Sequence, residues 1–424
     1  MKRVLLALAF ALAAAAAWVW VMGAGFEGAL ADEPPATPPS PQSVQRGEYL
    51  ARAGNCVSCH TQRGGVPYAG GRPLATPFGT VFASNLTPDA ETGLGRWSAE
   101  AFWRALHEGR SRDGHLLYPA FPYNYYTQVT RADSDALFDY LRSLPPVRLP
   151  NRAHQLDWPY NTQAALAVWR ALYFRAEPHA DDPVQTAQWN RGAYLVRGLG
   201  HCGACHSARN ALGATSDLMD LSGGLIPMQN WYAPSLSSPT EASVAGWSLQ
   251  DIARLLQAGN SPRGSVLGPM AEVVLNSTQY LARADIDAMA VFLKSLPAAP
   301  TDTDPREVPV ASRALMQRGE KLYRDHCAQC HGAAGEGVQG AYPPLARNRA
   351  VTMPVTANLV QVVLYGGYAP ATQGNPRPFG MPPFALALGD ADVAALLTYV
   401  RGSWNNRAAP VSELEVSLQR SSTQ

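Results

Sequence analysis

Three short segments of this chain carry two cysteines and a histidine at one fixed spacing. Each segment reads C-x-x-C-H, and together they use all six cysteines of the sequence. Two thiols on one helical turn can add across the two vinyl groups of a haem, and the adjacent imidazole can bind the iron as proximal ligand. The pattern therefore predicts three covalently bound haem c groups, at Cys56, Cys59 and His60, at Cys202, Cys205 and His206, and at Cys327, Cys330 and His331.

Three other uses of paired cysteines fit the sequence less well. Structural zinc sites use C-x-x-C pairs in twos, without a histidine fixed directly after each pair. A thioredoxin-like redox pair belongs at a strand–helix junction, and the sequence shows no βαβ pattern. Structural disulfides would not require a histidine at the same offset each time. Covalent haem attachment is the interpretation that accounts for every cysteine.

A low-spin haem that transfers electrons also needs a ligand on the far side of the iron, commonly a methionine sulfur. Met381, in the segment FGMPP, and Met270, in the segment GPMA, both lie between the middle and the closing helix predicted for their repeats. We expect them to bind the third and the second iron. Met289 falls on an apolar helical stripe and Met219 and Met228 in a long loop, so we interpret these three as non-ligands.

The first motif lacks a corresponding methionine, because none occurs between Met22 and Met219. The loop at 109–122 takes the place of the segment that contains Met270 in the second repeat. His115 is the strong iron ligand of this loop, and a neutral imidazole binds through one ring nitrogen. We expect His115 to bind the first iron; His107, water or an open coordination position are the alternatives.

The residues around the motifs repeat three times, and they predict helices. A block that begins Arg-Gly precedes each motif, and its glycine would let another helix cross closely because it has no side chain. Each repeat closes with an apolar stripe at helical spacing, and no alternating runs predict a sheet. The blocks begin at Arg46, Arg191 and Arg318, and middle helices are predicted at Trp97–Gly109, Trp247–Gly259 and Leu359–Gly366.

The expected fold class is all-α, with three tandem haem domains after an N-terminal apolar helix. The aromatic segment at 158–174 is expected either to pack between haem domains or to contact the membrane interface or a partner protein. The expected divisions are a signal peptide or membrane anchor at 1–31, a proline-rich extended spacer at 32–44, haem domains at 45–150, 185–298 and 312–407, a linker with an aromatic helix at 151–184, and a tail at 408–424.

The N-terminal segment predicts export. Lys2-Arg3 precedes an apolar run that reaches Phe26, and this order is typical of segments that send the following chain across a membrane. Cleavage after Ala31 would fit a signal peptide. A run of more than 20 residues that contains Trp18-Val19-Trp20 would equally fit a retained anchor. Both outcomes place the body on the periplasmic side of a bacterial inner membrane, either anchored or peripheral.

The composition excludes several other function classes. A formal net charge of +1 with 16% charged residues gives no basic surface for nucleic acid, so no nucleic-acid partner is expected. The sequence has no glycine-rich nucleotide fingerprint, no metalloprotease motif and no convincing arrangement of a nucleophile with a base. No catalytic residue is therefore assigned, and the redox chemistry would belong to the cofactor.

Over nearly its full length the chain resembles the cytochrome c subunits of membrane-bound periplasmic dehydrogenases. The resemblance implies cytochrome c-like haem domains, a large dehydrogenase subunit of the molybdopterin, quinoprotein or flavin type, a small subunit, and ubiquinone or a terminal oxidase as acceptor. Phe121 stands where the alcohol dehydrogenase type would carry a methionine, and here the chain is more similar to subunits that accompany molybdenum hydroxylase-type aldehyde or nicotinate dehydrogenases. The segments that carry the resemblance are TPFG at 76–79, NLTPD at 85–89, WNRGAYL at 189–195, GPMA at 268–271 and GMPPF at 380–384.

The expected function is electron transfer from a partner dehydrogenase through three haems to a membrane acceptor. Two alternatives remain at this stage. An open iron in the first repeat would suit a haem enzyme such as a peroxidase, and removal of the N-terminal segment would suit a soluble periplasmic shuttle. The substrate of the partner, the order of the haems and the quinone site do not follow from the sequence.

Overall fold

The structure, a computed structural model, describes residues 2–24, 28–30, 37–215, 220–299 and 309–421. The predicted cleavage position after Ala31, the first part of the proline-rich spacer and Met219 lie outside the described residues. The described chain is mostly helical, as expected. Its α-helices, numbered α1 to α18 in chain order, are Lys2–Val19, Pro41–Ala53, Cys56–Cys59, Ala99–Glu108, Tyr123–Tyr126, Arg131–Ser143, Gln163–Tyr173, Ala187–Tyr194, Gly203–His206, Leu249–Ala258, Pro269–Asn276, Arg283–Lys294, Arg313–His326, Ala328–His331, Arg349–Thr352, Ala357–Tyr365, Asp390–Gly402 and Glu413–Ser421.

Short strands are the difference from the expected all-α class. They are only two to four residues long, which is too short to leave an alternating pattern in the sequence. All of them pair antiparallel. Numbered β1 to β9 in chain order, they are Pro73–Thr76, Gly79–Phe82 and Gln155–Leu156 in one sheet, and then the pairs Gly224–Ile226 with Trp231–Ala233, Asn260–Ser261 with Gly264–Ser265, and Gly367–Tyr368 with Gly380–Met381.

The chain forms two compact units. The first contains residues 1–185, 194–204 and 209–220, and the second contains 186–193, 205–208 and 221–424. The second unit therefore includes most of the second repeat together with the third. The division into three domains at the predicted boundaries stays a prediction.

Three glycines bring two helices of each repeat into backbone contact. A Cβ atom at any of them would lie far inside van der Waals distance of a carbonyl oxygen on the crossing helix, so only glycine fits. The predicted close crossing is thereby confirmed in all three repeats. The distances from a Cβ at the glycine to the carbonyl oxygen are 1.9 Å for Gly47 to Ala136, 2.0 Å for Gly192 to Ala288 and 2.2 Å for Gly319 to Ala395.

An ion pair accompanies each crossing. The arginine directly before the glycine donates from Nε to an aspartate in the first turn of the closing helix, where a negative charge is favoured by the helix dipole. The sequence analysis singled out the arginines but not their partners. The Nε to Oδ1 distances are 2.8 Å for Arg46 to Asp133, 2.8 Å for Arg191 to Asp285 and 2.9 Å for Arg318 to Asp392.

The middle helices α4, α10 and α16 lie where the sequence predicts them. Ser98 and Ser248 cap α4 and α10, each accepting a hydrogen bond from the backbone N–H three residues further along, which satisfies a donor that the helix itself leaves open. The same two helices end at Gly109, with φ +61°, and Gly259, with φ +77°. That left-handed conformation favours glycine and stops a helix.

Two predicted boundaries differ from the structure. The extended spacer ends earlier than expected, because Ser40 caps α2 and Pro41 occupies its first turn, where a missing N–H has no cost. The tail folds as α18 and is part of the core of the second unit, since Val416 is fully buried. Arg420 in this helix donates from Nε to Asp390 Oδ1 at 2.6 Å. The third repeat therefore packs with residues that the sequence analysis assigned to the tail.

Replacing Gly319 by alanine tests the helix crossing. Alanine would favour an isolated helix by about 1 kcal/mol, whereas overpacking a tight contact costs about 1–3 kcal/mol. We expect a lower Tm for Gly319→Ala in thermal unfolding followed by far-UV circular dichroism. Gly246→Ala is the control, because a Cβ there meets nothing within 4 Å. A Tm at or above that of the parent protein for Gly319→Ala would contradict the crossing.

Candidate haem-attachment sites

The three cysteine motifs form similar short helical turns. The turns are α3, α9 and α14. The first cysteine begins α3 and directly precedes α9 and α14, and the second cysteine lies three residues later within each turn. The six cysteines are free of disulfide bonds. Burial, with Cys59 nearby, raises the pKa of Cys56 to about 12, and burial with Cys330 nearby raises the pKa of Cys327 to about 11. Both thiols are therefore protonated at neutral pH, unlike the thiolates of a reactive redox pair.

The histidine of each motif is held by the same kind of contact. Its ring Nδ1 lies within hydrogen-bond distance of a backbone carbonyl oxygen, and a carbonyl can only accept. Nδ1 therefore carries the proton, and Nε2 is left with its lone pair for a metal, as in other metal-binding imidazoles. The distances are 2.8 Å from His60 to Ser84, 2.7 Å from His206 to Pro234 and 3.0 Å from His331 to Pro343.

Burial also favours the neutral form of these imidazoles. The pKa of His60, His206 and His331 is lowered by removal from water, and the carbonyl contact raises it only in part. A neutral imidazole with Nε2 free is the form that binds haem iron. All three motif histidines are therefore prepared for the same role.

The two candidate methionines occupy comparable places in their repeats. Met270 lies in the first turn of α11, between the middle helix α10 and the closing helix α12. Met381 lies on β9, between α16 and α17, and packs against the same apolar core as Cys327. Of the predicted non-ligands, Met289 is buried in α12 and Met228 is exposed. Ligation by Met270 and Met381 stays a prediction.

His115 lies on the surface of the first unit. Its side chain is 51% exposed, and Nδ1 is 2.5 Å from Asp113 Oδ1. It lines a cavity of about 270 Å³ together with His154 and Tyr160, and Cys56, Cys59 and His60 are not among the residues that line this cavity. The contact with Asp113 engages Nδ1, and binding of the first iron by His115 stays a prediction.

His107, the alternative ligand, lies at the end of α4. Its ring stacks on that of Trp103 with centroids 4.4 Å apart, and its Nδ1 is 3.4 Å from Thr127 Oγ1. Burial lowers the pKa of His107. The structure therefore shows a neutral histidine with its own aromatic and hydroxyl partners.

The surroundings of the motifs fit a haem as well as the donor set does. A haem packs against apolar side chains beside the turn that carries its two cysteines. Exposed apolar side chains follow the first motif, at Val66, and the third motif, at Val338. At the third motif the ring of Tyr342 lies 6.5 Å from that of His331 and 5.1 Å from that of Phe379, centroid to centroid. A bound haem would cover these apolar and aromatic groups and remove them from water, which is favourable.

Two residues between the first and second motifs form a contact that was not predicted from the sequence. Tyr126 donates from its hydroxyl to the carbonyl oxygen of Gly54 at 3.3 Å, two residues before Cys56. Its ring centroid lies 5.3 Å from that of His201, directly before Cys202. Only the tertiary fold reveals this pair, although the unusual histidine before the second motif was a visible signal.

Comparison with known proteins places these sites in a family. The cytochrome c family model matches residues 44–145 and 316–404, which include the first and third motifs. The cytochrome c subunit of quinone-dependent alcohol dehydrogenase from Gluconobacter oxydans is 36% identical over 379 residues, covering 86% of this chain and 79% of that subunit.

Two further relatives agree with this assignment. The cytochrome c subunit of gluconate 2-dehydrogenase from Pantoea cypripedii is 38% identical and covers 89% of both chains. A nicotinate dehydrogenase subunit from Pseudomonas putida is 41% identical over 88% of this chain, which spans only 31% of that longer protein. With C-x-x-C-H turns and carbonyl-anchored histidines at every motif, this chain belongs to the family of dehydrogenase cytochrome c subunits.

Proposed function

We propose that this protein is the triheme electron-transfer subunit of a membrane-bound dehydrogenase on the periplasmic face of the inner membrane. It takes electrons from a partner dehydrogenase and passes them to ubiquinone or a terminal oxidase. The observation that carries the proposal is the threefold site in which a C-x-x-C-H turn presents a histidine whose Nδ1 is held by a carbonyl. Three cytochrome c-like domains, one around each motif, follow from it.

The chain's own residues set the conditions for electron transfer. Haem c, once attached, takes up and releases one electron at each iron. Ser84, Pro234 and Pro343 fix the orientation of the three proximal imidazoles through their carbonyl oxygens. A fixed orientation of the imidazole would keep the surroundings of the iron similar in both oxidation states. Burial would exclude water from the iron, and the degree of exclusion influences the reduction potential.

The packing of the motifs supports an order for the haems. In the first unit Gly54, before the first motif, lies against Leu199, before the second, since a Cβ at Gly54 would be 3.6 Å from the Leu199 carbonyl oxygen. In the second unit Tyr232 and Asn358 exchange two hydrogen bonds, of 2.8 and 2.7 Å, between the second and third repeats. Contact between the first two repeats beside their motifs, and contact between the second and third repeats, favour transfer between the first and second haems and between the second and third.

The partner is proposed to be a large dehydrogenase subunit with a small subunit. The names of the relatives support this, because they are subunits of alcohol, gluconate and nicotinate dehydrogenases. Phe121, in place of a methionine, favours a molybdopterin enzyme that oxidises an aldehyde or an N-heteroaromatic compound over an alcohol dehydrogenase.

Copurification tests the proposal as a whole. We expect the tagged full chain, extracted from its native membranes in mild detergent, to retain a large dehydrogenase subunit. Adding an aldehyde, alcohol or N-heteroaromatic substrate should then reduce the haems, as seen in the absorption spectrum. The proposal would be contradicted if the chain purifies without a dehydrogenase subunit and none of these substrates reduces its haems. Turnover of hydrogen peroxide by the chain would also contradict it.

Substitution of the two methionines tests the distal ligands of the second and third haems. Met270→Ala and Met381→Ala should each lose one sulfur–iron band in the near-infrared spectrum and lower one reduction potential, because thioether ligation raises the potential. Met289→Ala is the control, since Met289 is a buried core residue of α12. Retention of band and potential in either ligand variant would exclude that methionine.

The first haem is proposed to lack His–Met ligation, with His115 as its sixth ligand. Electron paramagnetic resonance of the oxidised protein should show one signal distinct from the two His–Met signals, and His115→Ala should change that signal alone. His154→Ala, in the same cavity, is the control. An unchanged spectrum in His115→Ala would exclude His115, and three His–Met signals in the parent protein would exclude both statements. A high-spin signal that responds to cyanide would favour an open, enzyme-like iron.

A further inference from the structure

Two buried arginines of the first unit bind backbone carbonyls of the N-terminal segment. Arg170 of α7, only 5% exposed, donates from Nε to the carbonyl oxygen of Gly23 at 2.9 Å. Arg104 of α4, only 3% exposed, donates from Nη1 to the carbonyl oxygen of Gly28 at 2.9 Å. Each buried donor that loses its acceptor costs free energy, and more so on a charged guanidinium. Cleavage after residue 31 would remove both acceptors.

The end of the N-terminal helix also crosses α7 at backbone contact. A Cβ at Gly23 would lie 1.9 Å from the carbonyl oxygen of Ala167, so the two backbones touch there. One turn earlier, Val19 packs against a small apolar cluster that includes Leu116 and Leu166. This geometry is the same as in the three helix crossings of the haem repeats, and it depends in the same way on a glycine.

The rest of this helix is apolar and uncovered. Residues Lys2–Gly23 form a helical stretch of 22 residues, and its most apolar window has mean hydropathy 2.4 and no buried part. At 1.5 Å per residue it is about 33 Å long, close to the hydrocarbon thickness of a bilayer, about 30 Å. Trp18 and Trp20 are exposed at the end nearest α7, and tryptophan favours the membrane–water interface.

Helix α7 is apolar on its outer side as well. Its inner residues, Leu166 and Ala171 among them, are buried, whereas Val168, Leu172 and Tyr173 are exposed. These three residues are the outer face of α7. Because Gly23 of the N-terminal stretch touches Ala167 of the same helix, the outer face lies at the level where the apolar stretch ends.

We propose that the N-terminal helix stays on the mature protein as a membrane anchor, and that its attachment to α7 lays the outer face of α7 in the interface of the phospholipid bilayer. The occupant is lipid rather than a protein partner, because the face continues directly from a stretch long enough to span the hydrocarbon. Exposed aliphatic and aromatic side chains insert favourably into the membrane–water interface. The inference goes beyond the electron-transfer function and holds whichever dehydrogenase is the partner.

The first test is the mass and the labelling pattern of the full chain. Protein purified from membranes should contain residues upstream of Ala31 by intact mass and N-terminal sequencing. Without partner subunits, in nanodiscs of phosphatidylethanolamine and phosphatidylglycerol, hydroxyl-radical labelling of Leu172 and Tyr173 should fall to the level of buried Leu166. Val184, which is 88% exposed on a loop, should stay labelled and serves as the control.

A matched pair of glycines tests the attachment itself. Gly23→Ala should restore labelling of the outer face in nanodiscs, because its Cβ pushes the N-terminal helical stretch away from α7. Gly28→Ala should not, since a Cβ there meets nothing within 4 Å. Unchanged haem spectra show that both variants fold. A mature chain that begins after Ala31, an outer face as labelled as Val184, or protection only when the large dehydrogenase partner is added would each overturn the proposal.

Discussion

Backbone contact between a glycine and a crossing helix is the constraint on which each candidate haem site of this protein depends. Gly47, Gly192 and Gly319 each lie in the helix that leads into a cysteine motif, and each touches a carbonyl of the closing helix. The contact sets how closely the two helices approach. It therefore fixes where the thioether turn stands relative to the loop between the middle and closing helices. The arginine before each glycine and its aspartate partner then hold the crossing angle.

Two of the small strands position the carbonyls that hold motif histidines. Ser84, whose carbonyl holds His60, follows β2 by two residues, and Pro234, whose carbonyl holds His206, directly follows β5. A hairpin with paired backbones presents a carbonyl more rigidly than an open loop could, since its neighbours are already hydrogen-bonded. Through these carbonyls the strands are part of the candidate metal-binding sites.

In the first repeat, the loop between the middle and closing helices has contacts that differ from those in the other two repeats. The loop at 109–122 is held from several sides: the N–H of Leu30 donates to the carbonyl of Arg112 at 2.9 Å, and Gln163 of α7 accepts from the N–H of Leu116 at 2.7 Å. A loop engaged with both the N-terminal segment and α7 has a packing role in addition to any role at the iron. Because the loop at 109–122 contacts both the N-terminal segment and α7, its sequence has a physical reason to differ from the segments around Met270 and Met381.

The sequence by itself determined what is local and repeated. The cysteine motifs, the helix-forming stripes and the caps of α4 and α10 depend on residues a few positions apart, and a glycine recurs before each motif, so these features are visible in the printed order. Only the tertiary structure decided which distant groups meet: the carbonyls that hold His60, His206 and His331, the aspartates opposite the three arginines, the Tyr126–His201 pair, and the bonds from Arg104 and Arg170 to the N-terminal segment. Backbone carbonyls carry no residue signature, because every residue has the same carbonyl group and its position in space is set by the packing of helices far along the chain.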